Sequence, residues 1–347
     1  MKVLLTGAAG FIGRHINEAA TAAGHQVTGV DLMLPQAHGE TAEVPSGVMH
    51  GDIRDPRLLD ELLADVDVVC HQAATVGNGV DAQDLPGYAA HNDLGTATLL
   101  AAMARTRTTR LVLASSMVVY GEGRYTCPDD GDVPPAPRQD SRLRLGRFDP
   151  LCPKCGGRVE PHLIGEEAPF APRTAYAASK IAQENYAAAW CTLESGRAIA
   201  LRYHNAYGPG MPADTPYSGV AAIFRSALEH GEPPQVFEDG NQLRDFVHVA
   251  DLARANVAAI EAVEDHPLGL SAYNICSGQT YTIGDMARRL ATVMNGPEPV
   301  VNGRYRSFDV RHVAASPRAA LEGLGFQARI GPDEGIAELA TAPLRHR

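Results

Sequence analysis

The chain has 347 residues, 45% hydrophobic and 20% charged, with 41 Asp+Glu against 30 Lys+Arg and a formal net charge of −11. That describes a folded chain of one large or two closely joined domains, and its acidic field excludes nucleic acid or an anionic membrane as the expected partner. No run of 18 uncharged apolar residues is present and the opening MKVLLTGAAG lacks the apolar segment and cleavage site of a signal peptide, so a cytoplasmic enzyme is expected, with its six cysteines as thiols or metal ligands rather than disulfides.

Lys2 to Leu5 reads as a short buried strand, followed by Gly7, Gly10 and Gly13 at the opening of an amphipathic helix that includes Phe11 and Ile12. In this G-x-x-G-x-x-G spacing the missing side chains permit a tight turn, and they bring backbone N–H groups and a helix N-terminus up to a pyrophosphate. A second strand, QVTGVD, ends in Asp31, where an acidic side chain accepts the hydroxyls of an adenosine ribose. Leu32, Met33 and Leu34 follow without a base to neutralise a 2′-phosphate, so NAD rather than NADP is the expected cofactor. GDIRD puts Asp52 and Ile53 beside the adenine, and DVVCHQAA gives a strand ending in the small residues Ala73 and Ala74. Asn92 heads the helix NDLGTATLLAAM, as an N-cap or as a cofactor contact.

Strands alternate with helices through residue 119, which predicts an α/β fold: a doubly wound parallel Rossmann sheet with right-handed crossovers and ligand at the carboxyl ends of its strands. The stretch LASSMVVYGEGRY closes one such strand with Ser115 and Ser116. By the two-residue period of a strand, Ser115 points away from Ser116 and is expected to be structural. TAYAASK then begins a long helix on which Tyr176 and Lys180, four residues apart, share a face. A phenol that ordinarily titrates near 10 becomes a usable base beside an ammonium and an oxidised nicotinamide. Ser116, Tyr176 and Lys180 are the candidate catalytic set, and Tyr176, Lys180 and Tyr203, which ends the strand AIALRY, also count as cofactor contacts.

GAAGFIG, SSMVVYG, YAASK, LRYHNAYGPG and QLRDFVHVADLARA fall in the order of the extended short-chain dehydrogenase/reductase family, and the chain resembles that family's nucleotide-sugar epimerases and dehydratases nearly end to end. Relatives that dehydrate the sugar place Asp and Glu directly after the strand-end hydroxyl residue, and those that decarboxylate a uronic acid keep a Glu there. Here the two positions are Met117 and Val118, which hold no titratable group. The resemblance therefore implies reversible oxidation at C4: an NAD-dependent 4-epimerase acting on a nucleotide sugar through a transient 4-keto intermediate. It also implies substrate contacts at Asn205 (diphosphate), Val220, Phe237 (base), Arg244 (phosphate) and the Arg306–Asp309 pair (phosphate and ribose). YGEGRY, CPKCGG, PYSGVAAIF and FEDG together are similar to a branch of dTDP-L-rhamnose 4-epimerases, which implies a dTDP-linked deoxysugar. An NAD(P)H-dependent 4-keto-deoxysugar reductase and, outside enzymes, an NAD-sensing scaffold with a zinc knuckle are the competing readings.

The resemblance divides the chain into a Rossmann domain, 1–203 with 246–270, and a smaller mixed α/β substrate domain, 204–245 with 271–347. It implies a homodimer built on the helices at 94–104 and 174–193. Residues 122–172 form an insertion with nine prolines, nine acidic and seven basic residues, which does not suit a nucleic-acid reader. A structureless loop of that length inside a domain points to function or to a local staple. Cys127, Cys152 and Cys155 are candidate ligands of a structural Zn²⁺, with Asp130 or His162 to complete a tetrahedral site; free thiols and a redox pair are the alternatives. The insertion leaves directly from the Ser116 strand, so it is expected near the sugar pocket.

Overall fold

In the computed structural model, which describes residues 1–39, 42–77, 82–213 and 219–345, the aliphatic runs of the sequence form the middle of three layers. The central sheet has seven strands: β1 (Lys2–Thr6), β2 (Gln26–Asp31), β3 (Val48–His50), β4 (Val68–His71), β5 (Arg110–Ser116), β6 (Arg197–Tyr203) and β7 (Gly269–Ile275). They lie in the order β7-β6-β5-β4-β1-β2-β3, all parallel.

Both faces of the sheet are covered at its middle strands, which is why β1, β4, β5 and β6 read as nearly continuous apolar runs, whereas the edge strand β3 stays largely exposed. In β5, Val112 and Ala114 pack with Ile16 of α1 (Phe11–Ala22) on one side. Leu111 and Leu113 pack on the other side with Leu99 and Met103 of α2 (Gly95–Thr106) and Trp190 of α3 (Ala175–Glu194). Each fully buried aliphatic side chain of this kind contributes about 1.5–3 kcal/mol.

The smaller layer pairs Asn205–Tyr207 in parallel with Leu243–His248, which pairs antiparallel with Thr280–Thr282. Its core joins Tyr207, Phe246, Met286 and Leu339 to Phe224 of α4 (Val220–Glu229). The division at residue 270 cuts through β7, whose whole length from Gly269 to Ile275 pairs with β6. The division at 246 likewise cuts the strand Leu243–His248, and Ala320 and Phe326 pack back onto the first core beside α5 (Val249–Ala262). The two parts interleave because the sheet needs β7 to cover β6.

The insertion is not structureless. Arg124–Cys127 is the middle strand of a three-stranded antiparallel sheet, flanked by Gly131–Val133 and Glu160–His162. Residues 216–218 of the PYSGVAAIF motif lie outside the described residues. Among the described residues, no helix is long and apolar enough to cross a membrane.

Candidate active site

The carboxyl ends of β1, β2, β4, β5 and β6 open into one cavity of about 920 Å³ that continues to the smaller layer. At its near end Gly7 turns with φ +69, and a Cβ there would stand 2.7 Å from the Ala73 nitrogen. A Cβ on Gly13 would stand 2.0 Å from the Gly7 carbonyl oxygen, so the helix lies closer to the turn than any side chain permits. Gly10 precedes the twelve-residue α1 as its N-cap and offers no side chain, leaving the first N–H groups of α1 without a side-chain partner at the cavity wall formed by Gly10, Phe11, Ile12 and Gly13.

Asp31 sits at the end of β2, where Oδ2 accepts the Ala9 N–H (3.0 Å) and Oδ1 the Met33 N–H (2.8 Å), with His38 Nε2 3.3 Å away. Burial pushes its carboxyl up, but His38 and the two N–H donors outweigh that, and the net displacement is below the usual carboxylate range. An ionised acceptor of this kind fits ribose hydroxyls and repels a 2′-phosphate. These features together fit a dinucleotide. Asp52, Ile53, Ala73, Ala74 and Tyr203 line the same cavity.

Two features of this end were not legible locally. Arg345 arrives from the far end of the chain and donates to the carbonyls of Ala9 and Ala37, each at 3.0 Å. Asn92 is corrected: it is neither a helix N-cap nor part of the cavity wall. It lies fully buried inside a helical run, where its side chain exchanges hydrogen bonds with the Thr75 backbone (2.7 and 3.0 Å) and donates to Ser179 Oγ at 2.8 Å. Its amide is spent on holding the chain after β4 against α3.

In the middle of the cavity, Thr174 caps α3 by accepting the Ala177 N–H at 3.1 Å, which sets the phase of Tyr176 and Lys180. Lys180 Nζ donates to the Ala114 carbonyl at 2.9 Å and stands 5.8 Å from the centre of the Tyr176 ring. Burial pushes Lys180 down to about 7, against the pull of Glu184. It pushes Tyr176 up to about 12, against a hydrogen bond with Ser116. Ser116 Oγ also accepts the Val118 N–H at 3.3 Å, which holds the 3-10 turn Met117–Tyr120. Met117 and Val118 are on the cavity wall, so the sites where a carboxylate would stand are apolar. Ser115 does point the other way, donating to Glu184, which takes a bidentate pair from Arg202 at 3.0 and 2.8 Å.

At the far end, Asn205, Val220, Phe237, Arg244, Arg306 and Asp309 all reach the cavity. Arg306 pairs with Asp309 at 3.2 Å, and the guanidinium groups of Arg304 and Arg306 lie 5.2 and 5.6 Å from the centre of the Phe237 ring. Arg244 spends both Nη atoms on carbonyls of Leu243, Val310 and Arg311 at 2.7–2.9 Å, so it holds the loop that carries Arg306 and Asp309. Glu238 was missed by the sequence reading. It is buried beside Phe237 and takes Arg138 of the insertion (2.6 Å) and Arg311 (2.9 Å), a pairing that spans 100 and 73 residues and leaves no local signal.

The doubly wound sheet, the glycine cradle and the Ser–Tyr–Lys cluster define a dinucleotide-dependent enzyme. The chain belongs to the NAD dependent epimerase/dehydratase family, whose model matches residues 3–140 and 155–276. It is 33% identical to the dTDP-L-rhamnose 4-epimerase of Burkholderia thailandensis, over 98% of this chain and 94% of that one. Among solved structures it is similar to MoeE5 in complex with UDP-glucose and NAD (28% identity, TM-score 0.77, covering 98% and 97% of the two chains). It is also similar to the Thermus thermophilus UDP-glucose 4-epimerase in complex with NAD (27%, TM-score 0.75, 98% of each chain).

Proposed function

We propose that the protein is an NAD-dependent 4-epimerase of a nucleotide-activated deoxysugar, with dTDP as the nucleotide. The observation that carries the reading is the single cavity in which Ser116, Tyr176 and Lys180 lie between the glycine cradle and the Phe237–Arg306 end, with Met117 and Val118 in place of carboxylates. At the two positions that follow Ser116 such a wall offers no acid or base to expel water or carboxylate, which leaves oxidation and reduction at C4.

Ser116, hydrogen-bonded to the phenol, relays the C4 hydroxyl proton to the Tyr176 phenolate, which keeps it until hydride returns to C4 and then gives it back to the C4 oxygen. Bound NAD supplies the acceptor and donor of hydride, and its oxidised ring supplies the positive charge that draws a phenol at about 12 towards neutrality. Lys180 is held under Tyr176 by the Ala114 carbonyl and adds to that charge when protonated. Arg306, Asp309 and Phe237 keep the nucleotide in place while the 4-keto sugar turns about its diphosphate and presents its other face. The dTDP assignment is supported by the 33% identity to a dTDP-L-rhamnose 4-epimerase. A homodimer belongs to the same reading: α2 and α3 pack side by side, and Leu94 and Leu193 at their ends stay 55% and 80% exposed.

The test is a proton NMR time course of the purified protein, without added cofactor, on dTDP-L-rhamnose, dTDP-glucose, UDP-glucose and UDP-glucuronate. Conversion of dTDP-L-rhamnose to its C4 epimer is the expected result. No conversion of any of the four, with turnover of a 4-keto sugar only when NADH or NADPH is added, would move the protein to the reductases.

A further inference from the structure

The insertion carries a motif twice. Cys127-Pro-Asp-Asp130-Gly131 and Cys152-Pro-Lys-Cys155-Gly156 share the pattern C-P-x-(D/C)-G, each with its ligand-type residues three apart. Both glycines take positive φ, +69 at Gly131 and +72 at Gly156, so both segments turn back in the same way just after the second ligand-type residue. The first segment is the tight end of the hairpin in which Cys127 pairs with Gly131. The second is closed by the Cys152 N–H on the Gly157 carbonyl at 2.9 Å and by the Leu151–Arg158 bridge.

The two turns face each other. One ligand atom from each of Cys127, Asp130, Cys152 and Cys155 lies within 4.8 Å of all the others. Cys127 Sγ is 3.5 Å from Cys155 Sγ and 3.6 Å from Asp130 Oδ2, and Cys152 Sγ is 3.1 Å from Asp130 Oδ2. A tetrahedron with metal–sulfur bonds of about 2.3 Å has edges of about 3.8 Å, close to these separations. The sulfurs also have the donors that a thiolate needs: the Lys154 N–H on Cys152 and the Gly157 N–H on Cys155, each at 3.4 Å. His162, the other candidate for the fourth position, is on an exposed edge strand opposite Arg124 and outside the cluster.

Around the cysteines the insertion has little packing of its own: the buried cluster there is Cys127, Val133 and Cys152 with Val159 against it, so two of the thiols lie in that small core, while Ile164 packs onto Val119 and Val313 of the main body. Yet it holds the far end of the cavity. Arg138 donates to Glu238 and to the Asp309 carbonyl, Asp149 takes Arg311 at 2.8 Å, and Asp140 takes the Tyr305 hydroxyl at 2.7 Å.

We propose that Cys127, Asp130, Cys152 and Cys155 bind one structural Zn²⁺, and that this ion fixes the insertion so that Arg138 and Asp149 hold the loop bearing Arg306 and Asp309 in register for the nucleotide end of the substrate. Three thiolates and a carboxylate in a closed tetrahedral set suit zinc and leave no open position for chemistry. The metal site stands independently of which nucleotide sugar the enzyme converts.

Metal analysis of the full chain, purified without chelator, is expected to give one zinc per chain, and Co²⁺ in its place is expected to give the visible spectrum of a tetrahedral thiolate site. Cys152→Ser and Cys155→Ser are expected to lose both signals while NAD content and the melting transition of the main body stay as in the parent, which separates loss of the site from loss of the fold. Asp130→His, which offers an imidazole at the same corner, is expected to keep the metal, and Asp130→Ala to weaken it. Removal of zinc from the parent protein is expected to raise KM for the nucleotide sugar about tenfold with NAD retained and kcat little changed. A chain that is metal-free as purified and gives no thiolate–Co²⁺ spectrum, or one in which Cys127 and Cys155 are joined as a disulfide, would overturn the site. An unmoved KM after zinc removal would overturn the positioning role.

Discussion

The central sheet and the insertion at 122–172 place residues on the same cavity by opposite means. Around β5 every position from Leu111 to Ser116 is buried, and the aliphatic side chains lock into two cores, one on each face. The insertion buries a few scattered side chains, Tyr125, Leu143, Phe148 and Ile164 among them, and is tied to the far end of the cavity by charge: Arg138 to Glu238 and Asp149 to Arg311. The Gly7 end of the cavity thus rests on close packing, which tolerates little movement. The Phe237–Arg306 end is tied to the insertion by ion pairs, which are strong only while their geometry is kept.

The largest effect expected within the packed half is chemical. Tyr176→Phe removes the proton-moving group and leaves the ring, so epimerisation followed by NMR should fall by about 10²–10⁴-fold with the melting temperature nearly unchanged; a loss of less than tenfold would place the base elsewhere. Next comes the ionic seam. Arg311→Leu takes from the buried Glu238 one of its two arginines, leaving Arg138, and also frees Asp149 and Asp239; it should cost about 1–3 kcal/mol in urea unfolding, together with weaker nucleotide-sugar binding by calorimetry. A cost below about 1 kcal/mol would mean that the seam does not hold the insertion. Third, truncation should separate the two regions: Leu113→Ala in β5 should cost about 2–5 kcal/mol, whereas Leu145→Ala in the insertion, 69% exposed, should stay within about 0.5 kcal/mol. Equal costs in a denaturation series would erase the contrast.

The smallest effect is a pH slope. His71 is buried between Thr6 Oγ1 (2.7 Å) and Thr96 Oγ1 (2.9 Å), and burial first, then the charge of Lys180, pushes it down to about 3. The unfolded chain takes up a proton near 6.5 that the folded chain refuses until about 3. The stability that His71 contributes is therefore complete above 6.5 and is lost as pH falls, at about 1.4 kcal/mol per pH unit. His71→Gln, measured by urea unfolding at pH 7 and pH 5.5, should show a shallower decline than the parent; parallel declines would mean that His71 takes up its proton in both states.

Much of the site was readable because its residues follow each other in short stretches with a strict local geometry. The glycines at 7, 10 and 13, Asp31 at a strand end, Ser116 after an apolar run, and Tyr176 four residues before Lys180 are each fixed by the period of a strand, a turn or a helix. The far end of the cavity was expected from a resemblance alone, and the structure brings Phe237, Arg306 and Asp309 to it while turning Arg244 onto backbone carbonyls. Asn92 was misjudged because an asparagine before a helix-forming run looks like a cap, whereas here the helix begins earlier and the amide is drawn inward by Thr75 and Ser179. Of the two possible fourth partners for the cysteines the sequence favoured neither; the fold brings Asp130 within reach of all three sulfurs and leaves His162 on an edge strand outside the cluster.

Short-range pattern was enough for the single strands, the glycine turn, the shared face of Tyr176 and Lys180 and the lack of a carboxylate beside Ser116. Each of these is set by residues within a turn or two of one another, where bond geometry and burial leave little choice. The packed chain was needed to learn that Arg345 closes on the Asp31 end, that Glu238 and Arg311 join the insertion to the loop bearing Arg306 and Asp309, and that β7 runs past the expected boundary. Those contacts join residues tens to hundreds of positions apart, and their partners are chosen by how the layers pack rather than by any local pattern.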